Sequence, residues 1–245
     1  MWYDCLGLSS DYTRANPIYF TDFVDAFGTS IDSYGGGGGF WMGSPINNTA
    51  GVAFSGGFPT APSAGVATAN TPGVIRIRSG SNTDSGYKYG NSNTQLITGG
   101  EQYEVIFNPA TLTNSTMRFG FYDAPPPLNV VDGAYLGVSG GIMFGRTASD
   151  DGGAGGNTAT GTSFNLVAGT WYRARVTVNS NATRVDFYLY NLSGTQLWTD
   201  NVTTNIPTAS GRETGSGVSA MNSAASTNIV HLDYMAQWWD KPLVR

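Results

Sequence analysis

Charge, histidine and cysteine are scarce in this chain, and each shortage closes off a class of chemistry. Charged residues make up 12% of the 245, about half the ~25% of an average soluble protein. Only two of the twelve basic residues are lysines, Lys88 and Lys241. No Lys/Arg run occurs, so nucleic acid is not an expected partner. The lone cysteine, Cys5, cannot close an internal disulfide and reads as a small buried hydrophobe. With one histidine, His231, the usual N/S ligand set of a zinc site cannot be assembled. His231 would also have to serve any Ser-His-acid arrangement. It stands instead in an alternating strand, Ile229–Met235, with no Gly-x-Ser-x-Gly elbow upstream. No apolar run approaches the ~18 residues that span a bilayer, so a membrane is not an expected partner. The N-terminus, Met-Trp-Tyr-Asp-Cys-Leu-Gly-Leu, has no basic n-region and does not read as a signal peptide.

What remains is a chain of glycine, small polar residues and aromatics. Glycine numbers 34 and hydrophobic residues reach 40%, enough apolar surface to bury a core despite the thin charge. The strongest pattern lies late, from Gly169 to Thr199. Tyr172, Ala174, Val176 and Val178 alternate with Trp171, Arg173, Arg175 and Thr177, the period-2 signal of a half-buried strand. Val185, Phe187 and Leu189 then face one way, and Arg184, Asp186, Tyr188 and Tyr190 the other. Closing a hairpin over residues 179–182 sets Val176 opposite Val185 and Arg175 opposite Asp186. A third strand returns through Asn191–Gly194, which makes an antiparallel meander with Phe187 and Leu189 in the core. Further strand-like runs are Ile18–Val24, Phe40–Met42, Val74–Arg78, Gln102–Phe107, Met117–Tyr122, Ala134–Val138, Ile142–Phe144, Ser163–Val167, Gly217–Met221 and Ile229–Trp238. Gly, Pro, Asn and Ser clusters separate them, as in an all-β antiparallel two-sheet sandwich. Ile18–Val24 and Ile229–Trp238 are expected in one sheet. Residues 148–161 read as an exposed loop, and Gly35–Gly39 as a turn with no phosphate-binding fingerprint after it.

Catalytic acids are hard to find. Glycoside hydrolysis needs two carboxylates about 5–10 Å apart across a cleft, and the only glutamates are Glu101, Glu104 and Glu213. Glu101 and Glu104 are three apart and point to opposite faces of a strand. Asp123 and Asp132 flank the turn Ala124-Pro-Pro-Pro-Leu128 and read as turn residues. No enzyme is expected. Oxygen ligands for a metal occur in two places, Asp150, Asp151 and Asn157 in the glycine-rich loop, and Asp123 with Asp132. Calcium is the ion such ligands suit, although neither place has an EF-hand pattern. No other cofactor is expected. Carbohydrate binding would use exposed aromatics, with Trp239, Trp41 and Trp238 as candidates. The five N-x-Ser/Thr sequons, at Asn47, Asn114, Asn181, Asn191 and Asn201, are what chance supplies in so Asn/Ser/Thr-rich a chain.

From Gly169-Thr-Trp-Tyr-Arg-Ala-Arg-Val-Thr-Val-Asn179, Asn191-Leu-Ser-Gly-Thr195, Asn205-Ile-Pro207 and Leu232-Asp-Tyr-Met235, the chain resembles concanavalin A-like jelly-roll domains (laminin G/lectin type) of tailed-bacteriophage virion proteins. Phe119–Asp123 and Asp132–Tyr135 fit the same pattern. The resemblance covers about residues 73–245. It implies a non-enzymatic virion structural protein, decorating a capsid or forming part of a tail or fibre, with other virion proteins and sister copies as partners. The alternative is a lectin-type module that binds cell-surface carbohydrate or a receptor for host attachment, and a polysaccharide-degrading enzyme ranks below both. Virion localisation follows from the resemblance alone. Residues 1–72 are expected to be an arm or elaboration packed on the sandwich, with strand 18–24 joining it. Its aromatics Trp2, Tyr3, Tyr12, Tyr19 and Phe20 are candidate assembly contacts, since aromatics supply much of interface energy.

Overall fold

The computed structural model describes residues 18–21, 42–46, 75–79, 86–90, 95–123, 130–149 and 156–239. Every element among them is a strand. In chain order they are β1 (Ile18–Thr21), β2 (Met42–Ile46), β3 (Ile75–Arg78), β4 (Gly86–Gly90), β5 (Gln95–Leu96), β6 (Glu101–Pro109), β7 (Ser115–Tyr122) and β8 (Gly133–Ser139). There follow β9 (Ile142–Ala148), β10 (Asn157–Ala159), β11 (Phe164–Asn165), β12 (Tyr172–Val178), β13 (Val185–Tyr190), β14 (Gln196–Val202), β15 (Glu213–Asn222) and β16 (Ile229–Trp239).

All pairings are antiparallel and sort into two sheets. The seven-stranded sheet runs β1-β16-β6-β12-β13-β14, with β3 also on β16. The nine-stranded sheet runs β10-β9-β8-β7-β15-β4-β2, with β11 on β9 and β5 on β15. The N-terminal run therefore does join the C-terminal strand, with Ile18 opposite Trp238 and Thr21 opposite Met235. A strand of the early chain, β2, lies at the far edge of the other sheet.

Alternation fixes which residues meet between the sheets. Tyr103, Val105 and Phe107 of β6, Ala174, Val176 and Val178 of β12, and Val185, Phe187 and Leu189 of β13 are buried. They pack on Met117, Phe119 and Phe121 of β7, Leu136 of β8 and Val218 of β15. The Phe107 and Phe119 rings meet across the layer at 4.5 Å. Gly145 of β9 is a close-approach glycine, because the Phe187 ring from the opposite sheet fills the space a Cβ would need.

Three sequence expectations need correction. The meander hairpin is tighter to its second strand than expected, since Val176 opposes Phe187 and Val178 opposes Val185. Asn179 decides this. Its backbone N–H donates to Arg184 O at 2.9 Å, and its side-chain Oδ1 accepts the Thr183 and Arg184 N–H groups at 2.8 and 3.0 Å. The turn thus centres one residue later, partners shift by two, and every side chain keeps its face. The expected Arg175–Asp186 pair is consequently absent: Arg175 opposes Tyr188, pairing instead with Glu104 of β6, and Asp186 is bound by Arg184. Second, part of the expected loop 148–161 is strand, because β10 continues the nine-stranded sheet with Asn157 opposite Ala148. Third, Ser163–Val167 pairs only over Phe164–Asn165, against Met143 and Ile142.

Candidate functional site on the seven-stranded sheet

The outward positions of β12 and β13 are the ones that alternation leaves out of the core, and here they carry arginine and tyrosine. Cross-strand register arranges them in rows. Glu104, Arg175, Tyr188 and Thr199 stand side by side on β6, β12, β13 and β14. The adjacent row is Ile106, Arg173, Tyr190 and Gln196. Tyr188 and Tyr190 are two apart on one strand, and their rings stack with centroids 6.1 Å apart and planes 20° from parallel. The Arg173 guanidinium lies 4.7 Å from the centre of the Tyr190 ring, a cation–π contact. Arg173, Arg175, Tyr188 and Tyr190 are half-buried, so one side of the cluster meets solvent.

Arg175 links this ladder to β16. Its Nε and an Nη donate to Glu104 Oε2 at 2.8 and 2.6 Å, and its guanidinium lies 5.7 Å from the Trp238 ring. Glu104 is buried, so the ion pair holds a carboxylate that would otherwise be stranded without solvent. The Tyr188 hydroxyl is pushed above its ordinary pKa, first by burial and next by the charge of Asp186. It therefore remains a neutral donor and acceptor at physiological pH. The face offers ring surfaces, guanidinium donors and hydroxyls, and its carboxylates Glu104 and Asp186 are both bound by arginines. That suits binding of a polar, ring-bearing molecule and leaves no free acid pair on these strands for hydrolysis.

Of the expected sugar-binding residues, Trp238 falls on this face. Trp239 takes the alternate side, opposite Glu101, and Trp41 lies outside the described residues. A bulge decides between the two tryptophans. Leu232 opposes Phe107 and Tyr234 opposes Ile106, which leaves Asp233 as the extra residue. Unbroken alternation from Val230 and Leu232 would turn Trp238 inward; the bulge reverses the phase and turns it out. Arg173, Arg175, Tyr188 and Tyr190 were not singled out as site residues from the sequence. Their signal was legible there: the polar face of the meander is Arg and Tyr where Ser, Thr or Lys would serve solubility.

The expected metal ligands are not drawn together. Asp132 is buried and pairs with Arg212 at 3.7 Å. Asp123 Oδ1 accepts the Val131 N–H at 3.2 Å, and its own N–H donates to Asp132 O at 3.1 Å. Both aspartates thus close the mouth of the β7–β8 connection. Asn157 is exposed on β10, while Asp150 and Asp151 lie outside the described residues. Among the described residues no three His, Cys, Asp or Glu side chains gather as a metal site would require. His231 is buried in β16, opposite Asn108 of β6 and Arg76 of β3. Of the proposed assembly residues, Tyr19 and Phe20 lie on β1, and Trp2, Tyr3 and Tyr12 lie outside the described residues.

Two antiparallel sheets packed face to face in this way form a jelly-roll sandwich of the concanavalin A-like class. Within it, the chain belongs to the family described as SO2946-like, C-terminal domain, which matches residues 70–233. The structure is similar to that of SO2946 from Shewanella oneidensis MR-1, a protein of unknown function, at a TM-score of 0.66 and 18% identity over 94% of this chain and 90% of that one. The carbohydrate recognition domain of Emp47p is similar at a TM-score of 0.54 and 13% identity, over 90% of this chain and 94% of that one. The CBM2 module of the evolved Dit of Lactobacillus casei BL23 phage J-1 is similar at 0.50 and 14%, over 94% and 99%. Lectins and β-glucanases are among the other similar structures. No curated protein matches the sequence.

Proposed function

We propose that this chain is a non-catalytic binding domain that holds carbohydrate on the outward face of its seven-stranded sheet. One observation carries the reading: Trp238, Arg175, Tyr188, Tyr190 and Arg173 form a continuous, half-exposed run of rings and guanidiniums with its carboxylates already paired. Aromatic faces take the apolar side of a sugar ring, and the guanidinium and phenol groups take its hydroxyls. Folds of this class in a carbohydrate recognition domain and a carbohydrate-binding module support the reading as precedent. The setting proposed is a bacteriophage particle, where the domain would serve as a structural and attachment element beside sister copies. The phage J-1 module supports that setting through its fold alone.

The test is a broad glycan array followed by equilibrium binding of any hit. The double substitution Tyr188→Ala/Tyr190→Ala should weaken binding by about tenfold or more while the far-UV circular dichroism stays that of the parent. An array with no hit would sink the carbohydrate reading. A second reading, docking of another virion protein on the same face, is favoured by Leu192 and Leu197, exposed beside Tyr190 on the β13–β14 connection and β14. Under that reading Leu192→Ser/Leu197→Ser abolishes incorporation into particles and leaves the array blank.

A further inference from the structure

A strand at the margin of a sheet exposes unpaired backbone groups, and proteins blunt such edges with shortness, proline, charge or bulges. Of the strands that end the two sheets, β1 has four residues, β10 has three, and β2 carries Pro45. β14 is different. It runs seven residues, Gln196–Val202, without proline, lysine or arginine. Among the described strands it pairs with β13 alone, and its one bulge, beside Tyr190, disturbs only its first residues. Gln196, Leu197, Thr199 and Asn201 are exposed.

Hydrogen-bond phase tells which backbone groups point away from the sheet. Asn179 N–H donates to Arg184 O across the hairpin at 2.9 Å, and in an antiparallel pair bonded and non-bonded positions alternate from there. Asp186, Tyr188 and Tyr190 therefore bond back to β12, and Val185, Phe187 and Leu189 bond forward to β14. Their partners there are Val202, Asp200 and Trp198. Thr199 lies between the last two, so its N–H and C=O point away from β13. Asn201 N–H points the same way, and Asp200 Oδ1 accepts it at 2.8 Å. Asp200 Oδ2 accepts the Thr162 N–H at 3.1 Å and the Thr162 hydroxyl. The one charge on β14 is thus already hydrogen-bonded.

We infer that β14 pairs with itself: two copies of the chain join antiparallel along this edge, about a two-fold axis at Thr199. The N–H and C=O of Thr199 then exchange hydrogen bonds with the same groups of the second copy. An axis at Asp200 would set two carboxylates directly opposite, which is unfavourable. The Thr199 axis instead sets Asp200 against the second copy's Trp198, and Leu197 against its Asn201. Leu197, 40% exposed, loses water contact there. A second copy suits this edge because self-pairing is isologous and closed: both edges are consumed and no fibre can grow. The two seven-stranded sheets become one. The row Glu104, Arg175, Tyr188 and Thr199 runs on into the same row of the second copy in reverse. The two Tyr188 backbones stand three strand spacings apart, about 14 Å. The pairing stands whether or not that face binds carbohydrate. Assembly beyond the pair needs a further surface, the role expected of the N-terminal segment.

The experiment is sedimentation velocity of the full chain over a concentration series, with amide hydrogen exchange followed by NMR. The parent should associate, and its Thr199 amide should exchange slowly. Thr199→Lys sets two lysines face to face at the axis, and Thr199→Pro removes an N–H that an outward edge position can spare. Each should weaken association by about tenfold or more with unchanged circular dichroism, and the residue 199 amide of Thr199→Lys should exchange fast. Thr199→Ser should behave as the parent. Fast exchange of the Thr199 amide in the parent would overturn the pairing whatever its oligomeric state. Slow exchange in a monomeric parent would also overturn it, by giving the edge to a segment of the same chain. Association unchanged in Thr199→Lys would place the contact elsewhere and overturn it even if Thr199→Pro failed to fold.

Discussion

Phe187 and Gly145 meet across the sandwich, and the pair shows how one side chain sets the fit of two sheets. Phe187 is fully buried with its ring seated over the glycine. Phe187→Ala is expected to cost about 3–5 kcal/mol, the range for emptying an aromatic site in a core. Gly145→Ala is expected to cost about 1–3 kcal/mol through overpacking, since the ring must leave its position. Urea denaturation of both variants checks this, and an unchanged midpoint for Phe187→Ala would mean that β13 presents its other face. Buried phenols make a second prediction at this scale. Burial raises the hydroxyls of Tyr103 and Tyr122 above the ordinary value of 10.0. The folded state therefore holds these protons more tightly than the unfolded chain does. Their contribution is complete below about pH 10 and is lost as pH climbs through the raised folded-state values. Alkaline titration should thus show tyrosinate absorbance rising together with loss of the β-sheet dichroism, and Tyr122→Phe should move that transition to higher pH.

At the scale of elements, the meander hairpin depends on Asn179 more than on its strands. Its side chain accepts two turn N–H groups and donates to Thr183 Oγ1 at 3.0 Å, while Ala182 takes a left-handed φ of 54°. Asn179→Ala is expected to lower stability by about 0.5–1.5 kcal/mol, because these turn groups are exposed and water replaces part of what is lost. Equilibrium denaturation measures it, and no change would show the turn to be held by strand pairing alone. The alternation of β12 and β13 was readable from the sequence, since a two-residue change of register does not alter which face a residue takes. The register itself was not readable, because it rests on one side chain folding back on its own turn. Nor was the bulge at Asp233, whose only sequence sign is a break in an otherwise regular strand. Strand β4, Gly-Tyr-Lys-Tyr-Gly, was passed over for a related reason: it has no apolar alternation and is held by pairing to β15 and β2.

For the molecule as a whole, the question is what the chain before the sandwich does. β1 and β2 both lie within it, and each adds an edge strand to a different sheet. Deleting residues 1–17 spares both strands, so the variant is expected to fold and to lose assembly with sister copies or particles. Circular dichroism and sedimentation velocity together decide it. A folded variant that assembles normally rules out an anchoring arm, and one that fails to fold assigns those residues to the core.

The sequence by itself determined the all-β class, the two-sheet sandwich and the inward faces of β12 and β13, because period-2 alternation is a local property of each strand. The scarcity of paired acids was equally plain in it. Only the tertiary structure decided that Trp238 falls on the face of Tyr188 and Tyr190 while Trp239 takes the other, and that Arg175 answers Glu104 and not Asp186. Each of these depends on which strands become neighbours and on a single bulge or turn that sets their phase. Such contacts join residues far apart in the chain, and no local pattern records them.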